Sequence, residues 1–316
     1  MKIKKNILIT GGLGFIGQNL VKFFNSIKYN VTILDNFSSI NTSKCLFDKN
    51  KVKINKIDIS NSGQVKKFFI KNKKFDYIIH SAAHFANQNS VDHPIKDMKT
   101  NILGIINLFE SIREYKLKKL IYLSSSCVYP SSLKLTEKSV VKPSETPYAI
   151  SKYSAELYAD FYSNYFKIPI NIIRIFNTFG PGEKAHKYRN VIPNFIERVL
   201  NNKNLYITGN GNETRDFTYV DDAVKIIFNT MKSKKKINII NSCTGKKTKI
   251  INLAKKIIKF TNSKSKIIVI NKSRKWDKIK HRSGSTNQTL KVLNKKEFTE
   301  LDVGLKKTID WYKKNN

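Results

Sequence analysis

Ile7-Leu8-Ile9-Thr10-Gly11-Gly12-Leu13-Gly14-Phe15-Ile16-Gly17 is the stretch whose reading decides the fold. A short apolar strand runs straight into glycines at 11, 14 and 17, and an amphipathic run over 18–27 follows. Strand, tight turn and helix N-terminus in that order form the βαβ arrangement that holds a pyrophosphate on backbone N–H groups. Gly11 is expected to permit the turn, Gly14 to let the backbone approach phosphate, and Gly17 to let helix and strand pack closely. The spacing is G-x-x-G-x-x-G rather than G-x-G-x-x-G, so its context has to support it. The next strand, 31–34, ends in Asp35, about 20 residues beyond the glycines, where a carboxylate bonds ribose hydroxyls. That acid also repels a 2′-phosphate, so the dinucleotide expected is NAD rather than NADP.

Composition bounds what surrounds this unit. A chain of 316 residues can bury a substantial core, as one large domain or two joined ones. No apolar run reaches the ~18 residues of a membrane span. The basic start Met1–Lys5 resembles that of a signal peptide, but only Ile7–Ile9 is apolar before the glycines, too short for a secretory core. Cys45, Cys127 and Cys243 are odd in number and far apart, which suits a reducing cytoplasm rather than a disulfide framework. No Cys/His cluster has metal-ligand spacing, and no metal is expected.

The net charge of +36 arises from 59 Lys+Arg against 23 Asp+Glu. Lys, Asn and Ile are abundant together, as an AT-rich coding sequence would produce. Clusters such as 232–236 and 246–249 fall at ends of elements, where lysines remain solvated. A nucleic-acid footprint would interleave aromatics with a basic face, and no such segment is visible. A nucleic-acid partner is therefore not expected, although the charge should speed capture of an anionic substrate at low salt.

The first half alternates strand and helix with the regularity of a parallel sheet. Strands are expected at 5–10, 31–34, 52–56, 77–81, 119–124 and 170–175. Helices are expected near 14–27, 62–71, 95–115 and 149–165, with Pro94 and Pro147 at helix starts. After Phe176 the pattern loosens: Gly180-Pro181-Gly182 breaks the chain, and helices follow near 192–200 and 221–231, with a strand at 237–241 and a basic α/β tail. The architecture expected is a Rossmann-type doubly wound parallel sheet with a smaller α/β substrate-binding domain. The sheet domain would comprise 1–176 and 218–248, and the smaller domain 177–217 and 249–316.

Tyr148 and Lys152, in P-Y-A-I-S-K-Y-S-A-E, lie four apart on one helix face. A tyrosine has an ordinary pKa near ~10 and is a poor base unless cations stabilise its phenolate. Lys152 and a nicotinamide ring would supply that stabilisation. Upstream, Ser124-Ser125-Ser126 end the fifth strand with hydroxyls, at the strand end where ligands of parallel sheets bind.

These features together resemble the extended short-chain dehydrogenase/reductase family, in particular its NAD-dependent nucleotide-sugar epimerases and dehydratases. The resemblance spans nearly the whole chain. It rests on T-G-G-L-G-F-I-G, Asp35, Asp58, H-S-A-A at 80–83, Asn101 in N-I-L-G-I-I-N-L, S-S-S-C-V-Y, Y-A-I-S-K, R-I-F-N-T-F-G-P-G and R-D-F-T-Y-V-D-D. It implies that Tyr148 is the general base, that Lys152 orients ribose and lowers the tyrosine pKa, and that Ser125 bonds the sugar hydroxyl. Cofactor contacts are implied for Gly11, Gly14, Phe15, Ile16, Gly17, Asp35, Asp58, Ile59, Ala82, Ala83, Asn101, Tyr148 and Lys152. Substrate contacts are implied for Ser125 and Asn177, with Arg215 and Arg274 clamping the diphosphate and Arg282 a weaker alternative to Arg274. A planar guanidinium fork suits phosphate oxygens.

By the same resemblance the first step is oxidation at sugar C4, and the family's branches diverge in the chemistry of the resulting keto sugar. Family dehydratases carry Thr-Asp-Glu where this chain reads Ser125-Ser126-Cys127, and decarboxylases often carry glutamate at the place of Cys127. Without either carboxylate, elimination is disfavoured and a nucleotide-sugar 4-epimerase, most simply of a UDP-hexose, is the expected activity. A 4,6-dehydratase, a UDP-glucuronate decarboxylase and a non-catalytic NAD- or RNA-binding relative remain alternatives. Phe85 stands where galactose epimerases carry a lysine, which leaves the hexose open. A cytoplasmic homodimer is implied, pairing the helices near 95–115 and 149–165 of each subunit.

Overall fold

The computed structural model describes residues 4–39, 45–72, 74–143, 145–234, 238–270, 279–293 and 297–315. Its short β-branched runs assemble a seven-stranded sheet in the order Ile239–Ser242, Ile170–Ile175, Lys119–Ser125, Tyr77–His80, Asn6–Thr10, Asn30–Asp35, Val52–Lys56. Asn6–Thr10 pairs in parallel with both Asn30–Asp35 and Tyr77–His80, so the strand order turns back on itself at this point. Ile7, Leu8 and Ile9 are all fully buried, because helices cover both sheet faces and alternation gives way to a continuous apolar run. All six strands expected in the first half are present, with ends shifted by no more than about a residue.

Helices Phe15–Ser26, Ser62–Lys71, Gly104–Ile112 and Pro147–Tyr165 bury one stripe each. Val65, Phe68, Ile105, Phe109 and Tyr162 meet Leu8, Ile78 and Tyr122 in a single core. Pro147 occupies the first turn of its helix, and Thr146 caps it by accepting the Ala149 N–H at 3.2 Å. The expected helix over 95–115 is not continuous. It runs as Pro94–Met98, a π-helical turn at Lys99–Leu103, then Gly104–Ile112. The wide turn accommodates Asn101, whose buried side chain is hydrogen-bonded at both its oxygen and its nitrogen. Hydrophobic periodicity carries no signal for one inserted residue.

Two compact units divide the chain: Met1–Ser125 with Thr146–Arg174 and Ile227–Ile240, and Ser126–Glu145 with Ile175–Ile226 and Asn241–Asn316. These limits differ from those read in the sequence mainly at 126–145, 218–226 and 241–248. Strand Ser132–Leu135 pairs in parallel with His281–Gly284, which draws the first of these segments into the second unit. There the four-stranded order is Thr248–Lys249, Thr214–Arg215, His281–Gly284, Ser132–Leu135. Asp216 knots this unit: its carboxylate accepts from Thr244 N–H (2.9 Å) and Oγ1 (2.7 Å), Gly245 N–H (2.8 Å) and Gly284 N–H (3.3 Å). Among the described residues, no helix is long and apolar enough to cross a membrane.

Candidate active site

The glycine turn closes on itself. Gly11 has φ +64° and donates to the Leu34 carbonyl at 2.7 Å, while Gly14 donates to the Gly11 carbonyl at 3.1 Å. A Cβ on Gly11 would stand 2.6 Å from Ala82 Cα, and one on Gly17 would stand 2.1 Å from the Gly11 oxygen. Gly17 thus packs against the turn itself rather than the strand, a refinement of the expectation. A Cβ on Gly14 would meet only the Gly11 oxygen, at 3.3 Å, which leaves that side of the backbone open to a ligand. Phe15 and Ile16 begin the helix behind it, Phe15 buried.

Asp35 ends its strand as expected, buried and latched to this turn: it accepts Leu13 N–H at 3.0 Å and Phe37 N–H at 2.8 Å. Burial pushes its pKa above the ordinary carboxylate value, against those two bonds. Asp58 is pushed up by burial too, but Ser60, Asn36 and Lys96 prevail and hold it below its ordinary value. Asn36 donates to it at 3.0 Å. Ile59, next along, is buried against the bare face of Gly104.

The strand ends carry the remaining chemistry. Thr10 Oγ1 lies 2.8 Å from His80 Nδ1 and accepts Ala82 N–H at 3.3 Å, which seats Ala82 beside the glycine turn. His80 is neutral: burial, then the charge of Lys152, lowers its pKa to about 3. Lys152 is buried, donates to the Leu123 carbonyl at 2.6 Å and stands 4.4 Å above the Tyr122 ring. The ring face and the carbonyl oxygen both meet its ammonium group.

Tyr148 begins the same helix, is 5% exposed, and donates its backbone N–H to Ser90 Oγ at 3.0 Å. Phe85 meets its ring edge-on with centroids 5.8 Å apart. One turn beyond Lys152 on the same face, Glu156 accepts from Ser124 Oγ at 2.5 Å and forms a buried ion pair with Arg174, closest at 2.6 Å. Sequence reasoning passed over Glu156 and Arg174. The i, i+4 step from Lys152 was the available signal for the first, and nothing local marks the second. Ser125, next to Ser124 and likewise buried, closes the strand.

Asn101 was expected near the site and ties its first unit together. Its Oδ1 accepts His84 N–H at 2.8 Å, and its Nδ2 donates to Asp97 at 2.9 Å and Ser151 Oγ at 3.0 Å. Ser151 sits beside Lys152, so the π-helical turn holds the loop of Phe85 and the Tyr148 helix in register.

In the second unit, Asn177 donates to the Asp216 carbonyl at 3.2 Å, and Arg215 donates to the Thr214 carbonyl at 3.1 Å. Arg282 pairs with Arg215 in the parallel register of adjacent strands, and its side chain is buried. Ser126 and Cys127 form a 3-10 turn at the opening of this unit. Glu183, which no sequence motif ranks as a site residue, is buried, and burial pushes its pKa up to about 8. Arg274 lies outside the described residues. Among the described residues, no group of three or more His, Cys, Asp or Glu is placed to hold a metal ion.

Residues 7–242 match the model of the NAD dependent epimerase/dehydratase family. The chain is 34% identical over 313 residues to a putative UDP-glucose 4-epimerase of Methanocaldococcus jannaschii, covering 98% of this chain and 99% of that one. It is 37% identical over 272 residues to a dTDP-D-glucose 4,6-dehydratase of Dictyostelium discoideum, covering 80% of this chain and 62% of that one. Its structure resembles an epimerase from Methanothermobacter thermautotrophicus with a TM-score of 0.91 and 35% identity, covering 99% of this chain and 93% of that one.

Proposed function

The chain belongs to the NAD dependent epimerase/dehydratase family, with NAD as its cofactor, and from that premise we propose that it is a nucleotide-sugar 4-epimerase acting on a UDP-hexose. The observation that carries the reading is Tyr148 and buried Lys152 on one helix face beside a strand ending in serine, with Ser126 and Cys127 where an elimination would need carboxylates. The first unit suits NAD: the backbone at Gly14 is open where Gly11 and Gly17 admit no side chain, and Asp35 stands at the next strand end. Gly11, Gly14, Phe15, Ile16, Gly17, Asp35, Asp58, Ile59, Ala82, Ala83 and Asn101 would hold it. When bound, NAD supplies the acceptor for a hydride from sugar C4 and gives that hydride back.

In this reading Tyr148 removes the proton from the C4 hydroxyl and later returns one. Lys152 keeps the phenolate accessible near neutral pH through its buried charge. Ser125 holds the C4 oxygen, while Asn177 and Arg215, with Arg274, grip the nucleotide so that the keto sugar can turn before reduction on its other face. A dehydratase needs an acid and a base at C5 and C6, and neither a serine hydroxyl nor a thiol readily takes those roles.

A cytoplasmic homodimer completes the proposal. Ile150, Leu157, Tyr158, Phe161 and Tyr165 form an exposed stripe along the helix of Tyr148, and Ile95, Met98 and Leu103 are exposed on the other helix implied in pairing. Proton NMR of the full chain with catalytic NAD and UDP-glucose, UDP-N-acetylglucosamine or UDP-glucuronate tests the activity. A new anomeric signal with the nucleotide intact and no accumulated NADH is expected. A deoxy-keto product or a released carboxyl carbon would replace epimerisation with one of its alternatives.

A further inference from the structure

Asp97 carries a buried carboxylate with a single hydrogen bond among the described residues. It is 1% exposed; Oδ1 accepts from Asn101 Nδ2 at 2.9 Å, and Oδ2 has no hydrogen-bond partner there. His84 faces it with Nδ1 at 3.8 Å from Oδ1, too far for a hydrogen bond, and the His93 ring lies 6.3 Å beyond the His84 ring. The Asp97 charge also reaches Tyr122: burial raises that phenol's pKa first, followed by Glu156, Tyr148 and Asp97. All of these residues belong to the first compact unit.

A carboxylate so placed costs stability, and an apolar side chain at 97 would avoid that cost. What the carboxylate supplies is direction. The two ends of an amide have nearly the same shape, and their partners decide which end lies where. A carboxylate only accepts, so the Asn101 nitrogen must face Asp97. The amide oxygen then takes the His84 N–H at 2.8 Å, and the second amide hydrogen lies between Ser151 Oγ at 3.0 Å and the His84 carbonyl at 3.3 Å. Ser151, accepting there, gives its own proton to the Tyr148 carbonyl at 3.1 Å. The run from Asp97 through Asn101 and Ser151 to the backbone of Tyr148 points one way because it starts on an acceptor that cannot donate.

We propose that Asp97 is a positioning residue for the reaction, its carboxylate fixing the direction of the Asn101–Ser151 run and thereby the place of the Tyr148 phenol relative to Lys152. The inference rests on the reading of Tyr148 as the base.

Titration of the Tyr148 phenol tests it, read from the Cζ shift of isotope-labelled tyrosine in the full chain with NAD and assigned with Tyr148→Phe. No turnover is needed, so its outcome is separate from that of the NMR assay for epimerisation. Ser151→Ala breaks the run without altering any charge. It is expected to raise the Tyr148 midpoint by about half a pH unit or more, as the phenol leaves the field of the lysine. Asp97→Ala is expected to raise the midpoint too. The sign is diagnostic, because deleting a negative charge near a phenol would by itself lower it. The double variant should match either single one, since both break the same run. Asp97→Asn deletes the same charge but still offers Asn101 an oxygen, so its midpoint should lie below that of Asp97→Ala. In turnover, Asp97→Ala should lower kcat about 10-fold or more with KM changed by no more than about twofold. A midpoint that falls or stays in place in folded Asp97→Ala, whatever its melting temperature, would assign Asp97 to folding alone and overturn the proposal. An unmoved midpoint in Ser151→Ala would overturn it independently, even if Asp97→Ala failed to fold.

Discussion

Tyr148 and Lys152 make different demands on their surroundings. Lys152 is fastened by the Leu123 carbonyl and the Tyr122 ring, so its charge is held in place before any ligand arrives. Tyr148→Phe removes one oxygen and leaves that frame intact. Turnover is expected to fall by at least about 100-fold, the lower end of what a positioned base contributes, while NAD stays bound by fluorescence titration. Retained turnover would remove Tyr148 from the role of base. Asp35→Ala should act on the cofactor instead, weakening NAD and admitting NADP, as read from the ratio of the two dissociation constants. Because Asp35 also accepts from Leu13 and Phe37, the same change should lower the melting temperature. Unchanged cofactor preference with lowered stability would make Asp35 a turn latch only.

At the scale of elements, the helix Pro147–Tyr165 is locked to the fifth strand by two successive contacts on one face. Lys152 reaches the Leu123 carbonyl, and Glu156 takes Ser124 and Arg174. Breaking the buried pair from one side strands its partner, so Glu156→Gln is expected to destabilise the protein by about 3–5 kcal/mol in denaturant unfolding. A loss under about 1 kcal/mol would show that the pair is not what holds the helix. The loop before helix Val191–Leu200 carries a pH dependence of opposite origin. Glu183 has its folded pKa raised to about 8 by burial, so it favours folding while protonated. That contribution is complete at acid pH, declines above the ordinary glutamate range, and is lost as pH rises through about 8. Glu183→Gln should therefore flatten the fall in melting temperature between about pH 5 and 9, and an unaltered slope would refute the assignment.

The whole molecule carries +36 charges, and their spread over solvated lysines sets a long-range field rather than a docking face. For an anionic nucleotide sugar, kcat/KM is expected to decline several-fold between about 0.02 and 0.3 M salt while kcat stays nearly constant, since screening acts on encounter. Equal loss in both constants would point to a salt effect on the fold instead. The exposed stripe that ends in Phe161 and Tyr165 belongs to this scale as well. Phe161→Glu with Tyr165→Glu should yield monomers in sedimentation velocity, and a wild-type monomer would refute the dimer outright.

The sequence by itself determined the parallel sheet, the dinucleotide turn and the helix carrying Tyr148 and Lys152, because each rests on local signals. Glycine spacing, period-2 and period-3.6 patterns and proline at a helix start are written within a dozen neighbouring residues. It misjudged the helix through Asn101 and was silent on Glu156, Arg174 and the burial of Glu183, since one inserted residue or one buried charge leaves no periodic trace. Those were settled by tertiary structure alone. Arg174 meets Glu156 across 18 positions of chain, and Arg282 reaches Cys127 across 155. Whether a charged side chain is solvated or buried without a counter-charge depends on which distant segments the fold brings beside it, and that is a property of packing rather than of composition.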